Sequence, residues 1–205
     1  MAKQVPAPVR CGRLSNDSLG YVHIADMGDA SLDQLLIDFD AANQGKRGVV
    51  VDVRNNNGGY VHGRVLDILS RTNFLSMTQR GMMRMPARQA LGERALGLPT
   101  IVLANESTLS DGEDFMEGYR ALGLGEMVGQ DSAGWIIYTS NVPLIDGSVV
   151  RVPSLLIEGA KGDNMELAGR AVDIEVQRPL GDTVRGEDTQ LAEAVKVLLG
   201  DLGGG

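Results

Sequence analysis

A serine at the first turn of a helix, directly after a buried strand, is held rigidly near amide donors and the positive end of the helix dipole. Ser110 has that context. Thr100-Ile101-Val102-Leu103-Ala104 reads as a buried strand, and a helix is predicted from about Asp111 to Leu122, closing at Gly123. Such a serine suits nucleophilic chemistry. It equally suits a helix cap, because serine is a preferred N-cap and Glu113 completes a capping box three residues on. The turn Asn57-Gly58-Gly59 is the second candidate. Glycine tolerates unusual dihedrals and lets a substrate approach the backbone, so N–H groups here could face an oxyanion; an ordinary strand-to-helix turn would use the same residues.

The chain has two histidines. His62 lies three residues past Gly59 near a helix start, where it is either a pocket residue and possible general base or a solvated surface group. His23 falls within a strand pattern and is expected to be structural. One cysteine, two distant histidines and no His-x-x-x-His or Cys-x-x-Cys spacing predict no metal site. There is no P-loop or dinucleotide fingerprint either, so no cofactor is expected.

The elements that must position these residues follow from periodicity. Gly20-Tyr21-Val22-His23-Ile24 and Val49-Val50-Val51-Asp52-Val53 read as strands, the second buried on both faces. Between them Leu32, Leu35, Leu36 and Phe39 repeat at helical spacing, with Ser31 and Gln34 as a capping box. Val61, Val65, Ile68 and Leu69 predict the next helix. Strand, helix, strand implies parallel pairing, so the Gly59 and Ser110 loops should converge on one sheet edge, where open α/β sheets place ligands. Residues 74–98 are rich in Met and Arg without a clean period and read as a long loop or lid. Further strands are expected near 127–129, 136–139 and 172–176, with a hairpin turn at Asp146-Gly147 and a final helix over 189–199 ending at Gly200.

With 205 residues, 43% of them hydrophobic, the chain fits one domain: a lead-in over 1–19, poorly ordered, a core over 20–200 and a glycine-rich tail over 201–205. A formal charge of −8 with interspersed signs argues against nucleic acid or an anionic membrane as partner. Cys11 alone permits no intramolecular disulfide, and no apolar run reaches the roughly 18 residues of a membrane span. A soluble, cytoplasmic protein is expected.

Three segments, Gly20 to Ile24, Val51-Asp52-Val53-Arg54-Asn55-Asn56-Asn57-Gly58-Gly59 and Asn105-Glu106-Ser107-Thr108-Leu109-Ser110-Asp111-Gly112-Glu113, together resemble the tricorn-type tail-specific proteases in order and spacing. The likeness continues through Leu144 to Gly147 and Asn164-Met165-Glu166 to Val172-Asp173-Ile174-Glu175. The resemblance implies an α/β, crotonase-like core with a largely parallel curved sheet and flanking helices. It puts Ser110 in the nucleophile role, with an acyl-enzyme intermediate, and makes the backbone amides of Gly59 and Asp111 the oxyanion hole, their side chains secondary. Glu166 resembles the family's assisting glutamate. The family's catalytic histidine comes from a region before the Gly-Tyr-Val-His strand, so the base is expected from a preceding segment. A Ser-Lys dyad has no support, since no lysine lies between Lys46 and Lys161.

The implied activity is hydrolysis of short or unfolded polypeptides, with homo-oligomers an expectation. A peptide-binding or assembly domain lacking the base, and an acyl-thioester enzyme on the same architecture, are the alternatives.

Overall fold

Consecutive β-branched residues without polar alternation must be covered on both sides. The computed structural model, which describes residues 6–43, 45–91 and 95–203, meets that demand with helices on both faces of one sheet. In chain order the elements are α1 (Ala7–Leu14), β1 (Leu19–His23), α2 (Asp29–Asn43), β2 (Gly48–Asp52) and α3 (His62–Ser70). Next come β3 (Ser76–Met77), β4 (Met85–Pro86), α4 (Ala87–Ala90), β5 (Thr100–Ala104), α5 (Asp111–Ala121) and β6 (Met127–Gly129). The chain continues with β7 (Tyr138–Pro143), β8 (Val149–Leu155), β9 (Ile174–Glu175), α6 (Asp182–Arg185) and α7 (Thr189–Gly203).

The main sheet runs β1-β2-β5-β6-β9, and every neighbouring pair is parallel. β2 and β5 are buried at every position, as their sequences predict. Side chains alternate between two cores. Val49, Val51, Val102 and Ala104 join α2, α3 and α5 on one face, while Val50, Ile101 and Leu103 join α1 and α7 on the other. The expected α/β class with a parallel sheet and flanking helices is what the chain forms. The expected hairpin is the β7–β8 pair, turning through Leu144 to Ser148.

Several elements differ from their sequence reading. The segment ahead of Gly20 contains α1, anchored by Cys11, which is fully buried with its Sγ 3.6 Å from the Gly20 carbonyl oxygen. Burial pushes the Cys11 thiol up to about 11, so it is an inert core group. The α2 helix starts at Asp29, with the Leu32 N–H on the Gly28 carbonyl; Ser31 therefore lies inside the first turn rather than at a cap. Strand β7 begins at Tyr138, not Ile136, because the Ile136 and Ile137 amides are drawn to a carboxylate. The Met-rich segment carries the small β3–β4 pair and α4, with Met77, Met82, Met83 and Met85 exposed. Helix α7 continues past Gly200, since Leu202 packs on the core and Arg47 donates to the Leu202 carbonyl at 2.7 Å.

A buried ionic group ties the end of β2 to α7. Arg54 bonds both oxygens of Asp52 (2.6–3.1 Å) and reaches Asp188 at 2.9 and 3.0 Å, while the Tyr21 hydroxyl donates to Asp52 at 2.6 Å. Asp188 in turn takes the Leu191 N–H, capping α7. Asp52 is 2% exposed, so removing its cation strands a buried charge. Arg54→Leu is expected to lower the unfolding free energy by about 3–5 kcal/mol in urea titrations. A loss below about 1 kcal/mol would show that the group behaves as a surface pair.

Candidate active site

The loops after β1, β2 and β5 meet at the carboxyl edge of the sheet, held by short polar side chains. Asn56 is fully buried; its Nδ2 donates to the Ile24 carbonyl at 2.7 Å and its Oδ1 accepts the Gly58 N–H at 2.8 Å. The Leu109 N–H donates to the Asn56 carbonyl at 3.0 Å. Asn105 Oδ1 accepts the Asn55 N–H at 2.9 Å, and the Thr108 hydroxyl donates to the Val53 carbonyl at 2.9 Å. The two candidate loops are thus one hydrogen-bonded unit.

Ser110 sits at the N-terminus of α5 with φ 54° and ψ −126°, a conformation that favours glycine and is strained for serine. Its N–H is shared by the Trp135 carbonyl at 3.0 Å and Glu113 Oε1 at 3.1 Å. Ser110 and Glu113 therefore form the capping pair that the sequence implies. The cap and an activated serine are compatible here, because the strain serves no ordinary cap. Gly58 (φ 80°) packs directly on Ser110: a Cβ there would lie 2.9 Å from Ser110 Oγ and 3.1 Å from the Asp111 nitrogen. At Gly59 (φ 155°) a Cβ would overlap the Met27 carbonyl, which accepts the Tyr60 and Val61 amides. Among the described residues, the Gly59 and Asp111 amides have no hydrogen-bond partner.

Glu113 does far more than cap. Its carboxylate, 1% exposed, also accepts the Ser132 hydroxyl at 2.6 Å and the Gly134 and Trp135 amides, each at 2.7 Å. These donors lie about twenty residues away, so local sequence carries no signal of them. Glu166 acts one layer further out: its Oε2 accepts the Ile136 and Ile137 amides at 2.9 and 2.8 Å. It fastens the strip whose Trp135 carbonyl takes the Ser110 N–H, without bonding Ser110 itself.

The Asp111 side chain, read from sequence as secondary, is fully buried and central. His62 donates its N–H to Asp111 Oδ2 at 3.0 Å, and its Nδ1 lies 2.5 Å from Oδ1. The Tyr138 hydroxyl lies 2.9 Å from Asp111 Oδ1 and 2.8 Å from Asp114 Oδ2. Donor atoms of His62, Asp111 and Asp114 come within 4.8 Å of one another, spacing also compatible with a metal, but they are engaged as a hydrogen-bonded group. His23 is elsewhere, exposed, with Nε2 3.3 Å from the Arg54 carbonyl.

The model of peptidase family S41 matches residues 18–176. The chain belongs to peptidase family S41. Within the family, tricorn protease homolog 1 of Streptomyces coelicolor is 33% identical over 191 residues, 92% of this chain and 17% of that protein. The tricorn protease of Thermoplasma acidophilum is 29% identical over 192 residues, with the same two shares, 92% and 17%. A crystal structure of tricorn protease matches with a TM-score of 0.86 and 27% identity, covering 95% of this chain and 19% of that one. A photosystem II D1 C-terminal processing protease shares the fold, at TM-score 0.59 and 24% identity over 87% of this chain and 46% of that one. The chain spans less than a fifth of the length of these tricorn relatives.

The electrostatics of this candidate site centre on the His62–Asp111 pair. The hydrogen bond to Asp111 raises His62 above its ordinary 6.5, against the opposing effect of burial. Burial pushes Asp111 up, but the bonds from His62 and Tyr138 outweigh it and leave the carboxyl below 3.8. Burial raises Asp114, against the lowering effect of Tyr138 and His62. The stabilisation from His62 is complete below pH 6.5 and is lost as pH rises through the raised value. That from Asp111 is present above 3.8 and is lost as pH falls through the lowered one. The urea-midpoint difference between wild type and His62→Leu should therefore be largest near about pH 5–6 and shrink on the alkaline side; a difference constant to pH 9 would contradict this. Glu113→Gln, which turns an NH2 group toward amide donors, should cost about 2–3 kcal/mol in the same assay.

Proposed function

We propose that this chain carries the catalytic core of a serine endopeptidase, with Ser110 as nucleophile and the Gly59 and Asp111 amides as its oxyanion hole. The observation that supports the reading is a strained Ser110 packed directly against Gly58 of the glycine turn, on loops locked to each other, with the Asp111 and Gly59 amides next in chain and without partners among the described residues. Membership of family S41 supports it.

Ser110 Oγ attacks the scissile carbonyl carbon as a base removes its proton. The carbonyl oxygen takes up the negative charge, which preorganised N–H donors stabilise at that stage more than in the ground state. Collapse expels the amine, which receives the proton, and leaves an acyl-enzyme on Ser110; water then releases the acid. Glu166 assists by holding the 136–137 strip against the Ser110 loop.

The base is assigned to a histidine from outside this sequence on the strength of the resemblance to the tricorn-type proteases, whose catalytic histidine precedes the strand matched by Gly20 to Ile24. His62 is not given that role, because no hydrogen bond joins its ring to Ser110 among the described residues, although the Nδ1 bond to Asp111 leaves Nε2 as the nitrogen a general base would use. The substrates are short or unfolded polypeptides, and residues 20–200 form the catalytic unit, working as a homo-oligomer in the cytoplasm. No helix among the described residues is long and apolar enough to cross a membrane.

Ser110→Ala should reduce turnover of a fluorogenic peptide by more than about a thousandfold. The unfolding free energy should change by about 1 kcal/mol, the worth of a cap. Retained turnover in the folded variant would sink the assignment.

A further inference from the structure

The direction of the Asp111 N–H is set by the peptide joining it to Ser110, and that peptide is held in a strained orientation by Ser110 φ 54° and ψ −126°. Strain of this kind costs about 1–3 kcal/mol and persists only where the surroundings over-determine it. Rotation of the peptide would relieve it and turn the Asp111 amide away from Ser110. On the Ser110 side Glu113 and the Trp135 carbonyl hold the N–H. On the Asp111 side the restraint is the carboxylate, and two of its three donors belong to His62. His62 is the first residue of α3, three positions after Gly59, so one side chain connects the segments that present both amides.

We propose that His62 is a positioning residue for the oxyanion site, clamping the Asp111 carboxylate so that the Asp111 and Gly59 amides keep one spacing beside Ser110. This rests on the peptidase reading above. The clamp is strongest as an imidazolium–carboxylate pair and weakens when the ring loses its proton, since a neutral ring keeps the hydrogen bond but not the charge. The groups facing the ring are Asp111 and Asp114 from α5 and Tyr138 from β7. Tyr60 and Arg64, its near neighbours in sequence, are turned to Asp29 instead, and Glu113 faces residues 132–135. The titration therefore belongs to one ring against two carboxylates, and it places an alkaline limit on activity.

Two variants and one spectroscopic readout test this on the full protein. His62→Asn keeps an N–H donor near the Nδ1 position without a titrating charge, whereas His62→Leu removes the side-chain donor. In NMR titrations from about pH 5 to 9, the Asp111 and Gly59 amide resonances should follow the His62 ring in wild type and stop doing so in His62→Asn. In peptide hydrolysis, His62→Leu should lower kcat by about tenfold to a hundredfold with KM little changed. His62→Asn should recover most of that loss while flattening the alkaline fall in kcat. Amide resonances indifferent to the His62 titration, or a His62→Leu enzyme with wild-type kcat and pH profile, would overturn the inference. Intact amide coupling without a fluorophosphonate adduct at Ser110 would instead defeat the peptidase reading and leave the clamp standing.

Discussion

A buried carboxylate has to be matched donor for donor, and Glu113 meets that requirement by drawing separate stretches of chain onto one point. The Ser110 amide, the Ser132 hydroxyl and the Gly134 and Trp135 amides all donate to it. Each of these donors is a loop group, so beside backbone bonds such as the Ala133 N–H to the Thr108 carbonyl at 3.0 Å the carboxylate gives separate loops one shared acceptor. Its position, one turn into α5, is fixed by Phe115, Met116 and Tyr119, which bury that helix against the sheet and α3. Core packing thereby sets the geometry of a surface loop, and the strained Ser110 backbone is carried by interactions that would exist without any substrate.

The second layer of restraint runs through amides and short polar side chains. Asn56 bridges the ends of β1 and β2, Asn105 bridges β2 and β5, and Gly58 admits the contact with Ser110 that a side chain would block. Asp111 then joins α5 to the start of α3 through His62. Oxyanion stabilisation depends on donors that need no reorganisation as charge develops. In the proposed reading the Gly59 and Asp111 amides are such donors, flanked by a buried carboxylate, an asparagine bridge and the His62–Asp111 hydrogen bond that are in place before substrate arrives.

What could be read from sequence, and what could not, follows from the range of the interactions involved. β2 and β5 declare themselves because Val49-Val50-Val51 and Ile101-Val102-Leu103 have no polar face. The glycine turn declares itself because the positive φ of Gly58 and Gly59 calls for glycine, whereas Ser110 is legible from its place between β5 and α5 and not from its strained backbone. Helix α1 does not, since its fully buried anchor is the single Cys11 and the rest of its face is only partly covered. The donors of Glu113 and the partner of the Asp111 side chain lie about 20 and 49 residues away in sequence, so nothing local marks them. Ser31 looked like a cap by type, but Asp29 provides the acidic first-turn residue two positions earlier. The resemblance singles out Glu166, yet its bonds to the Ile136 and Ile137 amides appear only in three dimensions.

The central claim is that Ser110 reacts within reach of two specific amides. The most direct measurement is a crystal structure of the protein treated with a peptidyl phosphonate or a peptide aldehyde. The account predicts a covalent bond to Ser110 Oγ, with the adduct oxygen within about 2.7–3.1 Å of both the Gly59 and Asp111 nitrogens. An adduct on another residue, or one on Ser110 whose oxygen points away from these amides, would contradict it.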